Sequence, residues 1–119
     1  MKLNRILLLL VLLAFAAMGC KQKVDSQVDL LVVTGGHAYD TAAFIQMFEA
    51  LPGVSFEMAL KPIAFEMLAA GREFDVIAFY DMWKEPITEK EKNTFLNEFE
   101  KGTGMVFMHH CLASHPDWP

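Results

Sequence analysis

Three of the four histidines in this 119-residue chain fall in its last stretch, GTGMVFMHHCLASHPDWP, together with one of its two cysteines. His109, His110, Cys111, Ser114 and His115 come straight after an apolar run. The fourth histidine, His37, follows a glycine pair in TGGHAYD, and Asp81 closes a second apolar run in FDVIAFYD. Imidazole changes charge near neutral pH, so these residues suit general acid–base chemistry. They are also ligands that Zn²⁺ accepts, and a divalent metal such as zinc on His37, His109 and His110 is one reading. Against it, the chain has no HxxxH or CxxC spacing. Neighbours on a strand point to opposite faces, so His109 and His110 share a metal only if the strand has already turned. A third reading makes Cys111 a nucleophile at a strand-to-helix turn, with its pKa lowered by nearby histidines. The turn lacks glycine, and an inert buried thiol is the commoner fate of such a cysteine.

The elements that would position these side chains follow from periodicity. Residues 28–33 (VDLLVV) form a short apolar, β-branched run that suits a strand buried on both faces. Asp40 or Thr41 caps a helix whose Phe44, Ile45, Phe48 and Leu51 recur at helical spacing, and Pro52-Gly53 ends it. Residues 54–60 (VSFEMAL) alternate as a second strand. Pro62 opens the next helix, with Ile63, Ala64, Met67 and Leu68 as its expected buried face. Residues 74–80 predict a third strand. Thr88 and Glu91 have the spacing of a capping box, Phe95, Leu96 and Phe99 are expected to face inward, and Gly102 ends that helix. Residues 104–109 predict the fourth strand.

Strands alternating with helices predict an α/β fold of three layers, with a parallel sheet covered on both faces. Right-handed crossovers leave the flavodoxin-like order 2-1-3-4 as the simplest topology. Ligands of such sheets bind outside the carboxyl ends of the strands, near the switch point. That rule brings all four histidines to one sheet edge. It adds Tyr39 from the first loop and Asp81 and Trp83 from the third. Trp83 and Trp118 are candidates for a sugar-stacking wall, although a single aromatic near a loop is more often packing. The fourth strand is apolar with nothing after it to cover it, so the chain reads as the N-terminal part of a longer domain, truncated after about the fourth strand.

The first residues are of another kind. Lys2 and Arg5 precede an unbroken apolar run over residues 6–18, shorter than the roughly 20 residues a membrane span requires. The run closes on Ala17-Met18-Gly19-Cys20, which is similar to a bacterial lipobox. Residues 1–19 therefore read as a lipoprotein signal peptide, Cys20 as the lipidated residue and residues 20–27 as a tether. Domain residues then run from 28 to 119. Envelope localisation and a membrane attachment through N-terminal lipid follow. Without Lys2 and Arg5 the ten basic residues become eight, against 15 acidic, a net charge of −7. Nucleic acid is not an expected partner of such a chain. With Cys20 acylated, Cys111 has no disulfide partner.

Three segments, VVTGGHAYD, FDVIAFYDMW and GMVFMHHCLASHPDWP, resemble the ThuA-like (trehalose utilisation) family over residues 28–119. The HH…DWP ending carries most of that resemblance. It implies a class I glutamine amidotransferase-like fold, members longer than this chain, and a role in carbohydrate utilisation. It also implies that His37, Asp81, His109 and His110 line the pocket. The His109-His110 pair takes the place where true amidotransferases carry a cysteine between small residues, so amidotransferase chemistry is not implied. The resulting expectation is an enzyme acting on a sugar or oxidised sugar. His110, His109 and Asp81 are its catalytic candidates, and His37, Tyr39, Trp83 and His115 its substrate-binding candidates. A non-catalytic sugar-binding lipoprotein is the alternative.

Overall fold

The computed structural model describes residues 27–118. Four parallel strands form one sheet: β1 (Val28–Gly35), β2 (Val54–Leu60), β3 (Val76–Asp81) and β4 (Gly104–Phe107). They lie in the order β2-β1-β3-β4. Helices α1 (Thr41–Glu49), α2 (Lys61–Ala69) and α3 (Glu89–Lys101) connect them, and a 3-10 turn over His109–Ala113 follows β4. The fold is thus the expected flavodoxin-like α/β arrangement. Its switch point lies between β1 and β3, where Thr34 pairs with Tyr80 and Gly35 with Asp81.

Alternation along the strands divides the core in two. Leu30, Val32 and Ala78 face one side and pack with Phe44 and Phe48 of α1. Leu31, Val33, Ile77 and Phe79 face the other side and pack with Ala64, Phe65 and Leu68 of α2 and with Phe95 of α3. Each fully buried aliphatic or aromatic side chain here stabilises the fold by about 1.5–3 kcal/mol. The helix starts follow local chemistry. Asp40 Oδ1 accepts from Ala43 N at 3.1 Å to cap α1. At α3, Thr88 Oγ1 accepts from Glu91 N, while Glu91 Oε2 accepts from Thr88 N. Gly102 ends α3 in the left-handed region at φ 82°.

Four details depart from the sequence reading. The third strand starts at Val76, not 74, and continues through Asp81. Asp75 instead serves the start of β1, where its carboxylate accepts from Asp29 N. The fourth strand ends at Phe107, because its last ladder partner is Phe79, and the chain has turned by His109. The buried face of α2 is Lys61, Ala64, Phe65 and Leu68, an i, i+3, i+4, i+7 stripe, and it leaves Ile63 exposed. On α3, Thr94 and Glu98 are buried while Leu96 and Phe99 are exposed. Those two line a groove between α3 and β4, and β4 is the last strand of the sheet among the described residues.

Candidate functional site

The carboxyl ends of β1, β3 and β4 meet, as the topology requires, but the sheet divides their side chains. Tyr80 and Asp81 are consecutive, so they project to opposite faces. On the α1 side Tyr80 gathers an aromatic and imidazole cluster. Its ring stacks on Phe44 at 4.4 Å and meets Tyr39 edge-on at 5.4 Å and His37 edge-on at 4.8 Å. The His37 ring is 5.7 Å from that of His110, which is 3.8 Å from that of His109.

Backbone geometry makes this cluster. β1 runs directly into Gly35 and Gly36, at φ 132° and 78°. A Cβ on Gly36 would lie 2.0 Å from the Met82 carbonyl oxygen, so only glycine lets the loops after β1 and β3 touch here. Gly35 O accepts from Met82 N at 2.9 Å, and the Trp83 ring lies over Gly35 at close range. At the end of β4, His109 adopts φ 54°, a left-handed conformation uncommon for a side-chain-bearing residue. The sharp turn there exposes both His109 and His110 at the sheet edge. Strained backbone of this kind persists where the surroundings hold it, and it gathers at functional sites.

What holds the turn lies on the opposite face. Lys61 Nζ donates to Asp81 Oδ2 at 3.1 Å and also to His115 Nε2. His115 Nδ1 donates to the Glu85 carbonyl at 2.7 Å, which assigns the ring tautomer from its partners. Ser114 Oγ donates to Asp81 Oδ2 at 2.9 Å and accepts from Trp83 N at 2.9 Å. His115 N donates to Trp83 O at 2.7 Å, and His115 itself is at φ 50°. Lys61, Asp81 and His115 are all buried. Three strand-end segments are thereby joined behind the turn that carries His109 and His110.

The expected site residues therefore fall into two groups. His37, Tyr39, His109 and His110 come together. Asp81 and His115 come together elsewhere, through the sheet, and Trp83 packs over Gly35 between the loops. Among the described residues no group of three His, Cys, Asp or Glu side chains is placed to hold a metal ion. Two participants escaped the sequence reading. Tyr80 was legible from alternation in FDVIAFY. Lys61 was legible as the first position of the α2 stripe, where its charge concealed it. Cys20 and the segments expected to be signal peptide and tether, up to residue 26, lie outside the described residues, and no described helix is long and apolar enough to cross a membrane.

The electrostatics suit proton transfer on the α1 face. Desolvation, then the charges of His109 and His37, push the His110 pKa below its usual range. An imidazole so shifted is neutral at pH 7 and can accept a proton. His37 Nδ1 bonds the Ala38 carbonyl at 3.2 Å, and its buried Nε2 has no hydrogen-bond partner among the described residues. Across the sheet, desolvation and then the Asp81 charge push the Cys111 thiol up, away from nucleophilic thiolate.

No family model, no curated protein and no solved structure matches this chain.

Proposed function

We propose that the chain is a ThuA-like protein that acts on a sugar or oxidised sugar by proton transfer at the His37–His109–His110 face. The observation that supports this reading is the strained His109 turn, which sets a neutral-leaning His110 ring 5.7 Å from that of His37. Tyr39 supplies an aromatic surface against which a pyranose can lie.

In an oxidised sugar the C–H next to the carbonyl is acidic. His110 would take that proton. The C–O bond at the β carbon would then break, with His109 as the general acid that gives a proton to the departing oxygen. The same pair could shuttle protons in hydrolysis. Asp81, bonded to Lys61 and Ser114, would act at a distance by holding the turn. Lipidation at Cys20 would anchor the protein at the cell envelope.

The test is turnover of trehalose, other disaccharides and their keto forms by the full chain and by His110→Ala and His110→Gln. A fall of about a hundredfold or more in kcat/KM is expected. Turnover unchanged by loss of His110 would overturn the reading. A non-catalytic sugar-binding role is the second reading, favoured by the exposure of both His109 and His110. Sugar binding without turnover, surviving His110→Ala, would select it.

A further inference from the structure

We propose that the α2–α3 face of the sheet carries a second ligand site, for a small, neutral, single-ring apolar molecule bearing one hydrogen-bond acceptor. A cavity of about 160 Å³ opens there, walled by Phe65, Phe79, Phe95, Phe107 and Trp118 and ending on Lys61. An apolar cavity of about 150 Å³ is enough for a benzene ring. The polar end is built of buried groups, since Lys61, Asp81 and His115 all border the cavity with at most 5% of their surface exposed.

The chemistry of that end selects the ligand. An ammonium has three N–H donors. Among the described residues two acceptors meet those of Lys61, Asp81 Oδ2 and His115 Nε2. Nζ also lies 5.6 Å from the centroid of Phe65, a wall of the same cavity, and the remaining donor is the one assigned to a ligand oxygen. Asp81 already balances the Lys61 charge, so an anionic ligand would bring an uncompensated negative charge beside the Asp81 carboxylate in a weakly solvated place. A pyranose fits poorly as well. Its several hydroxyls would leave water for a wall of aromatic rings, each unpaired hydroxyl at a cost. The site is therefore distinct from the sugar-facing histidine cluster and does not depend on that reading. The two faces share the 3-10 turn, since Cys111 and Leu112 line the cavity while His109 and His110 begin the same turn.

The experiment titrates the full chain with acetophenone, toluene, benzoate and glucose, following the amide resonances of Cys111 and Leu112. Acetophenone should give saturable shifts with a dissociation constant of about 1 mM or tighter. Toluene, lacking the acceptor, should bind roughly fivefold more weakly, the worth of one hydrogen bond. Benzoate should bind more weakly than acetophenone, and glucose should not saturate. In Lys61→Met/Asp81→Asn, which removes both charges together, acetophenone should lose its advantage over toluene. The comparison of probes on the unaltered chain stands whether or not that variant folds. Absence of saturable shifts with both neutral aromatics, or tighter binding of benzoate or glucose, would overturn the proposal.

Discussion

Lys61 Nζ lies 3.1 Å from Asp81 Oδ2, with both side chains almost wholly withdrawn from water. One residue opens α2 and the other closes β3, so the pair ties the edge of one crossover to the centre of the sheet. The same ammonium holds the ring of His115, and Ser114 holds the same carboxylate oxygen.

Breaking this pair from one side leaves a buried charge without compensation. Lys61→Met is expected to destabilise the fold by about 3–5 kcal/mol in urea unfolding. Lys61→Met/Asp81→Asn should recover much of that loss, because no unpaired charge remains. Equal stability of single and double variants would mean that the pair does not act as a unit.

The histidine face predicts a pH dependence with a definite sign. His110 has its pKa lowered from 6.5 by desolvation, then by His109 and His37. It stays a competent base above that lowered value, and base-dependent turnover should fall as pH drops through it. The stability linked to this group has the same sign: present above 6.5, and lost as pH falls through the folded value. In an NMR titration His110 should titrate below an unperturbed histidine, and His109→Asn should move it upward. An unchanged midpoint in that variant would remove the neighbouring ring as a cause.

Two glycines separate contact from conformation. Gly36 and Gly53 have similar positive φ, 78° and 73°. A Cβ at Gly36 would strike the Met82 carbonyl, whereas one at Gly53 meets nothing within 4 Å. Gly53→Ala should cost about 1 kcal/mol, the left-handed penalty alone. Gly36→Ala should cost about 3 kcal/mol or more and should disturb the His37 resonances. Similar losses at both sites in thermal unfolding would contradict the close approach.

Cys111 offers a chemical test. Its thiol is pushed up by desolvation and by Asp81, so the thiolate fraction at pH 7–8 lies below that of an ordinary cysteine. In a Cys20→Ser chain, iodoacetamide should label Cys111 several-fold more slowly than a small free thiol and reach the free-thiol rate on denaturation. Labelling in the folded state at the free rate would restore the nucleophile reading.

Much of the fold was legible in one dimension because its causes are local. Apolar runs, the Thr88–Glu91 box and the stop at Gly102 are written in neighbouring residues, and alternation of strands and helices leaves few topologies. The gathering of His37, His109 and His110 at one edge also followed, since strand ends in a parallel sheet share an edge. The boundary of β4 did not follow. The apolar run continues to Met108, but pairing ends with Phe79 and Phe107, and only the partner strand determines that.

The sequence by itself determined which residues come to the sheet edge, through strand periodicity and connection order. Tertiary structure alone decided on which side of the sheet each one acts. A single residue of register sends Tyr80 to the histidines and Asp81 to Lys61, because adjacent side chains on a strand must diverge. The partner Lys61 arrives from the start of another helix, 20 residues earlier in the chain. No local pattern specifies such a meeting. It is set by how α2 packs on the sheet and by the requirement that a charge taken from water find its opposite.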